Sequence, residues 1–275
     1  MRTKHQDRPD ITSVQLDEQL KQLKLPTFVR NHGPFADDAL KQQHTYQKYL
    51  LDLAAQEVIQ REKNRHAQRM HAAKFPVPKE LADFDFNAVP SLQKQMVLEL
   101  ARGGYIVKAE PILMVGAPGV GKTHVATGLG LAACRQAHRV RFFNAATLVN
   151  QLIEAQDKHQ VERFIANALR HQLVILDEFG FIPFTPTGAN LLFQFCSSLY
   201  ERVAIIFTTN LKFSDWTQIL GSETLTAALL DRLTHRAHVL EFSGAESFRL
   251  KQRLKRLPGK DANANDTNLK EGTAR

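Results

Sequence analysis

The sequence predicts an α/β fold: a parallel five-stranded sheet flanked by helices, preceded by a small all-α N-terminal domain. Three observations predict it. From residue 91 to 257 short apolar runs alternate with helical stretches, and repeated βα units make a parallel sheet wrapped by helices. The runs are almost continuously apolar, as strands buried on both faces are. A glycine-rich loop of the form GxxxxGK[ST] joins the first run to the first helix of this region, the setting in which such a loop cradles phosphate.

In chain order, residues 1–12 are polar and read as frayed. Residues 13–73 read as helical. Leu16, Leu20 and Leu23 share one face, and Tyr46, Tyr49, Leu50 and Leu53 another, at helical spacing. Pro26 and the cluster Asn31-His32-Gly33-Pro34 punctuate these helices. The helical N-terminal domain is drawn at 1–73. Residues 74–90 carry Phe75, Pro76, Pro78, Phe84, Phe86 and Pro90 among polar neighbours. Closely spaced prolines exclude a regular helix, so this is an extended linker whose aromatic residues dock on the next domain. That domain, at 91–257, takes its strands at 111–115, 139–143, 173–176, 203–208 and 237–242. Its helices fall at 122–137, 147–170, 188–200 and 223–235. Residues 258–275 lack apolar periodicity and read as a disordered tail.

Composition bounds the function. The chain has 275 residues, 43% of them hydrophobic, enough for one large core or a large and a small one. A net charge of +8 suits contact with a polyanion, nucleic acid being the commonest; spread evenly, it would serve only solubility. Cys134 and Cys196 are too few and too far apart for a zinc cluster or a disulfide framework. Both sit in apolar helical patterns and read as buried free thiols of a reducing compartment. The N-terminus lacks the apolar core of a secretory signal, and no apolar run approaches membrane-spanning length. These features point to a cytoplasmic protein with no membrane partner.

The segment Gly116-Ala117-Pro118-Gly119-Val120-Gly121-Lys122-Thr123 fills every fixed position of the loop motif. Its glycines let the backbone curl until N–H groups face phosphate oxygens, and the next helix adds its positive end. Lys122 can reach the β- and γ-phosphates of ATP, and Thr123 can offer its hydroxyl to Mg2+. Downstream, the run at 173–176 delivers Asp177 and Glu178 to a strand end, where ligands of open parallel sheets bind. Asp177 would hold Mg2+ through water, and Glu178 would polarise the attacking water as general base. Alone, this pair would read as an ordinary acidic loop; beside a phosphate loop it reads as catalytic. Another run ends in Thr208-Thr209-Asn210, where a polar side chain could sense the γ-phosphate. Arg232 and Arg249 could stabilise charge on a transferring phosphoryl group. Arg232 could equally pair with Asp231, and Arg236 is an alternative. Other constellations carry little. The pairs His235/His238 and His66/His71 lack further ligands, Gly128-Leu129-Gly130 is no dinucleotide fingerprint, and Trp216 reads as a packing anchor.

The order of GAPGVGKTH, LVILDEFG, FTTN, AALLDRLTHRAHVLEF and ESFRLK resembles the IstB-like AAA+ ATPases. These are helpers of insertion-sequence transposition, related to helicase loaders of the DnaC type and to the initiator DnaA. The similarity runs from about residue 13 to 257 and includes the stretch KFPVPKELADFDF. It implies the P-loop AAA+ fold, with the strand before the phosphate loop placed centrally in the sheet. It implies ATP and Mg2+ as cofactors. Gly116, Ala117, Pro118, Gly119, Val120, Gly121, Lys122, Thr123 and His124 would bind nucleotide, and Thr123 and Asp177 would serve the metal. Glu178, Asn210, Arg232 and Arg249 would be catalytic: the base, the first sensor, the arginine finger and the second sensor. A finger acts on a neighbour's nucleotide, so a homo-oligomer with nucleotide at its subunit interfaces is implied. In this family ATP-bound subunits assemble around duplex DNA, deform it and recruit an IstA-like transposase. The chain departs from the pattern at Ala117, where proline is common, and at Phe179, where leucine is usual. Gly244-Ala245-Glu246-Ser247 is one residue longer than the usual Gly-Glu-Ser, which shifts Arg249 by one position.

Positive charge is uneven. Arg61, Lys63, Arg65, Arg69, Lys74 and Lys79 face one acid, Glu62, within residues 61–79. Such clusters bind phosphates by counterion release, though a solvated helix face would look the same. The candidate DNA contacts are Arg61, Lys63, Arg65, Arg69 and Lys74, together with Lys158. The stretch 144–158 also carries Asn144, Asn150 and Gln151. A second cluster, Arg249, Lys251, Arg253, Lys255 and Arg256, reads as helix surface or subunit contact. No base-reading module is present, so DNA shape and deformability would be sensed. The expected function is thus an ATP-dependent regulator that oligomerises on duplex DNA and stimulates a transposase. The alternative is a replicative helicase loader acting on single strands. A scaffold that holds ATP without hydrolysis is the third reading, and Glu178 stands against it.

Overall fold

The computed structural model describes residues 11–244. The expectations for residues 1–10, for Arg249 and its basic cluster, and for the tail at 258–275 lie outside the described residues.

The chain begins with helices α1 (Ile11–Gln22), α2 (Pro26–Lys41) and α3 (Tyr46–Ala73). α1 starts inside the stretch expected to fray. The cluster Asn31-His32-Gly33-Pro34 predicts an interruption, yet α2 runs through it with Pro34 inside. Tertiary contacts override the local signal. The Tyr49 hydroxyl donates to the His32 carbonyl at 3.1 Å, and the His32 ring meets Asp17 of α1 at 2.9 Å. Pro26 takes the first position of α2, where a missing N–H costs nothing. Leu25 before it offers no side-chain cap. The cap comes from α3 instead: buried Glu57 accepts the Thr27 N–H at 3.0 Å while Arg61 holds its other oxygen at 2.7 Å.

Residues 74–90 hold only two 3-10 turns, at Leu81–Asp83 and Phe86–Ala88. Then come α4 (Lys94–Leu100), α5 (Gly104–Val107), β1 (Ile112–Gly116), α6 (Lys122–Arg135), β2 (Val140–Asn144) and α7 (Ala145–Asp157). They are followed by α8 (Val161–Ala168), β3 (Leu173–Phe179), α9 (Pro186–Leu199) and β4 (Ala204–Thr209). α10 (Thr217–Leu220), α11 (Glu223–Thr234) and β5 (His238–Phe242) complete the described chain. The single helix expected at 147–170 is two, because the chain turns at His159, whose φ is +53°. The region 91–110, for which the sequence predicts no elements, forms α4 and α5.

The strands pair in parallel in the order β2-β3-β4-β1-β5. β1 is interior but not central; β4 holds the middle and β1 lies between it and the edge strand β5. Successive side chains leave opposite faces of a strand, and here both faces are apolar. Leu113, Val174, Leu176, Ile205 and Phe207 join one core with residues of α7, α8, α9, α10 and α11. Ile112, Met114, Ile175, Ile206 and Leu240 join the other with residues of α4, α5 and α6. Trp216 is fully buried in the first core, against Phe179 at 4.3 Å between ring centres. Cys134 and Cys196 are buried free thiols, and burial pushes them up to about 11 and about 12.

Candidate active site

The phosphate loop lies between the carboxyl end of β1 and the first turn of α6. Gly121, at φ +103°, is the last loop residue before α6, and a side chain there would collide with the Phe84 ring at 2.6 Å. Glycine is thus required twice at this position, for its backbone and for its neighbour. The buried Lys122 ammonium donates to the Gly116 and Ala117 carbonyls at 2.6 and 2.8 Å, so it lies across the loop.

The acid pair comes from β3. Asp177 is buried at 4% exposure, while Glu178 beside it is exposed. Both fall within a register shift against β4 between Leu176 and Phe179, and Glu178 adopts φ +60°. A bulge of this kind re-aims a side chain beside a site, and the left-handed backbone is one that non-glycine residues seldom hold. Asp177 accepts the Thr123 hydroxyl at 2.9 and 3.0 Å and the Thr208 hydroxyl at 2.5 Å. Its pKa is raised: burial disfavours the charged carboxylate, and Glu178 adds repulsion, while the two hydroxyls and Lys122 oppose the shift.

Two residues tie the acids to neighbouring strands. Thr208 of β4 donates to Asp177 and accepts the Glu178 backbone N–H at 3.0 Å. Asn144 ends β2, opposite Asp177 in register. Its side-chain oxygen caps α7 by accepting the Ala146 and Thr147 N–H groups at 3.1 and 3.3 Å. Its amide nitrogen donates to Glu178 Oε2 at 2.9 Å. With both ends of the amide engaged, Asn144 fixes where the Glu178 carboxylate points. From sequence, Asn144 stands only in a polar stretch and Thr208 has no role of its own. The N-cap signal of an asparagine before a helix is readable in the chain; the cross-strand register is not.

A cavity of about 210 Å3 joins these parts. One wall is the loop from Pro118 to His124; opposite stand Glu178, Thr208, Thr209 and Asn210. The remaining wall comes from residues 79–89, with Lys79, Asp83, Phe84, Asp85, Ala88 and Val89. This segment is strapped to α6. His124 Nε2 meets the Glu80 carbonyl at 2.7 Å, the Phe84 ring stands edge-on to His124 at 5.2 Å, and Arg135 pairs with Glu80. The pair Gly128 and Gly130, given no role from sequence, makes room for the strap. A β-carbon at Gly128 would lie 2.7 Å from Leu81, and one at Gly130 would lie 2.7 Å from Phe75. Phe75 in turn meets Phe142 of β2 at 6.3 Å.

The arginines lie elsewhere. Arg232 of α11 donates to the Ala228 carbonyl at 2.7 Å and stands over the Phe193 ring at 4.9 Å, instead of pairing with Asp231. Arg236 is exposed beyond α11 at φ +59°. Of the candidate DNA residues, Arg61 is tied to Glu57 and the Lys24 carbonyl, and Arg69 donates to the Cys134 carbonyl at 3.1 Å. Arg65 pairs with Glu62 and Lys158 with Glu154, all at exposed positions, and Lys63 and Lys74 are exposed.

The donor set suits a hard divalent cation. Thr123 and Asp177 converge with oxygen atoms alone, and Mg2+ takes one or two carboxylates plus phosphate oxygens rather than an all-protein cage. Among the described residues no group of three His, Cys, Asp or Glu side chains converges to hold a metal. No described helix is long and apolar enough to cross a membrane.

The sequence matches the family model for IstB-like ATP-binding proteins over residues 18–256. It is similar to an IS21 insertion-sequence protein of Pseudomonas aeruginosa, 33% identical over 88% of this chain and 91% of that one. It is also similar to an IS5376 protein of Geobacillus stearothermophilus, 32% identical over 86% and 94%. Among solved structures it resembles AMPPCP-bound DnaA from Aquifex aeolicus. That match has a TM-score of 0.53 and 20% identity, over 66% of this chain and 56% of that one. A DnaA bound to AMPPCP and single-stranded DNA gives a TM-score of 0.50, 19% identity and the same coverage. At such identities the structural likeness establishes the fold alone, the P-loop AAA+ arrangement. The phosphate loop facing an acid pair, the AAA+ strand order and the match along most of the chain agree: the chain belongs to the IstB-like ATP-binding family of insertion sequences and is an ATPase.

Proposed function

We propose that the protein is a Mg2+-dependent ATPase that assembles on duplex DNA, deforms it and there engages the transposase of its insertion sequence. The observation that carries the catalytic half is the paired placement of the β3 acids. Asp177 is buried against Thr123, and Glu178 is aimed at the open cavity by Asn144. The loop N–H groups and the start of α6 receive the phosphates, and Lys122 turns from its own loop carbonyls to the β- and γ-phosphates. The wall of Phe84, Ala88 and Val89 offers apolar surface to the base, with the carboxylates of Asp83 and Asp85 beside it. When bound, Mg2+ would neutralise developing charge on the phosphate oxygens. Glu178 orients water and takes its proton as the attack proceeds. Asn210 sits on the cavity wall beside Thr208 and Thr209, placed to sense the γ-phosphate.

What supports assembly is the place of the candidate fingers, Arg232 and Arg236, outside the described lining of the cavity. No arginine is among the described residues that line the cavity, and phosphoryl transfer gains about 10³–10⁵ from one. A neighbouring subunit supplies it, from Arg232 or from Arg236. Family membership supports DNA and transposase as partners, because the relatives are encoded by insertion sequences.

The experiment is Glu178→Gln. The variant should retain ATP with wild-type affinity, hydrolyse it about 10²-fold or more slowly, and accumulate as an assembled, DNA-bound state. Turnover at the wild-type rate removes Glu178 from its role. Stimulation of the wild-type ATPase by single-stranded DNA in preference to duplex would favour a helicase loader instead.

A further inference from the structure

A second cavity, of about 750 Å3, opens at the amino ends of β2 and β3, the opposite end of these strands from the nucleotide. α3 forms one side with Arg65, Gln68 and Arg69; His138, Arg139 and His171 from the turns before the two strands form the other. Arg65, Gln68, Arg69 and Ala72 follow the i, i+3, i+4, i+7 spacing of one helical face, and Lys63 falls on the far side. No carboxylate lines the cavity among the described residues. Glu62 meets Arg65 at 2.7 Å and Arg69 at 4.0 Å. Among the described residues no acid pairs with Arg139.

The walls are held in place. Arg69 Nε donates to the Cys134 carbonyl at the end of α6, and Arg141 donates to the Ala72 carbonyl at 3.1 Å. The positive field reaches the imidazole of His171. Burial lowers its pKa first, and the Arg141 and Arg139 cations lower it further. Arg65 and Arg139 are exposed, which suits an extended polyanion passing through better than a small anion enclosed on all sides.

We propose that this cavity is a phosphodiester site, where the backbone of duplex DNA is held by Arg65 and Arg139, with Arg69 behind them. The site is composite: α3 brings Arg65 and Arg69 and the turn before β2 brings Arg139, so neither part makes it alone. Contacts of this type fix the position of a duplex without reading its sequence. The inference rests on the reading that the protein binds DNA, and the test separates the two.

The full chain is loaded with ATP and titrated against a fluorescent duplex of mixed sequence at several salt concentrations. The Arg65→Gln/Arg139→Gln variant should bind about tenfold or more weakly, and its log–log salt slope should shrink by about 2. A Lys41→Gln/Lys48→Gln variant, which removes the same formal charge elsewhere, should stay within about twofold of wild type. ATP retention should be unchanged in both. Should the arginine pair fail to retain ATP, Arg139→Gln alone must show the same direction, with a slope change of about 1. Equal binding and slope in wild type and the arginine variant overturns the site and leaves DNA binding intact. Equal losses in the arginine and lysine pairs assign the effect to net charge and overturn it too. A wild-type chain that holds no duplex even at low salt overturns both readings.

Discussion

Asp177 sits where its charge is least comfortable. It is buried between two hydroxyls, and burial, with repulsion from Glu178, raises its pKa above the usual 3.8. For an acid whose native pKa lies above its unfolded value, the favourable contribution to stability is complete below pH 3.8. It is lost as pH rises through the raised native value. Once ionised, the carboxylate therefore costs the nucleotide-free protein stability, and a cation held there would offset that cost. Asp177→Asn keeps the shape and can still meet the Thr123 and Thr208 hydroxyls. It should raise the melting temperature of the nucleotide-free protein at pH 7 by about 2–4 °C, as a gain of about 1 kcal/mol would. The gain should vanish towards about pH 3, below the unfolded carboxyl value, and Mg·ATP should no longer shift the transition. Calorimetry across pH checks all three, and a variant that melts lower at pH 7 contradicts the burial argument. The motif makes Lys122, Thr123, Asp177 and Glu178 legible from sequence, because phosphate and metal chemistry leaves few choices of residue. Asn144 and Thr208 are not legible as partners of the acids. Their contacts arise from strand register, which aligns Asn144 with Asp177 across 33 residues of chain.

Among the elements, the strap at 74–90 and helix α6 bear on the site together. A glycine inside a helix ordinarily costs about 1 kcal/mol against alanine, and α6 carries Gly128 and Gly130 within three residues. Their justification is the space they leave for Leu81 and Phe75. Gly128→Ala should therefore reverse the usual gain. The added methyl meets the Leu81 side chain at 2.7 Å and its backbone nitrogen at 3.1 Å, and overpacking of this kind costs about 1–3 kcal/mol. The strap should lift, residues 74–90 should become sensitive to limited proteolysis, and ATP affinity should fall about tenfold, the equivalent of about 1.4 kcal/mol, because Phe84 and Val89 wall the nucleotide cavity. A variant more stable than wild type, with the strap protected, removes this role. The extended character of the strap and the docking of its aromatic residues follow from its prolines and phenylalanines. The glycine notch does not, because its meaning lies in a partner segment about 50 residues away. The same limit explains α2. Gly33 and Pro34 are breakers by propensity, and only the contacts from Tyr49 and Asp17 show why the helix continues.

At the scale of the whole molecule, the nucleotide site draws on the β3 acid pair, one lysine from the loop and one from the strap, and no described arginine. Arg232 rests instead on α11, its guanidinium spread over Phe193 and bonded to the Ala228 carbonyl. Neither contact is an ion pair, so no acid has to be displaced from these two contacts before the cation could serve a phosphate. If Arg232 is the finger, a site with its acids and cradle at one place and its arginine on α11, outside the described lining of the cavity, would be completed by a second copy, as proposed above. That arrangement makes a genetic test possible. Lys122→Ala disables the cradle but leaves its arginines intact; Arg232→Ala leaves the cradle intact but offers no finger. Each alone should lose about 10²-fold or more in ATP turnover, since a finger is worth about 10³–10⁵. Mixed, a cradle from the second can meet a finger from the first. In an equimolar mixture about a quarter of the interfaces then hold both working parts, and turnover should recover to the order of one quarter of wild type, far above either variant alone. Repeating the mixture with Arg236→Ala decides between the two arginines, since only the true finger gives a defect that a cradle mutant rescues. Absence of rescue in every mixture means that each chain completes its own site, and the shared-site arrangement is then wrong.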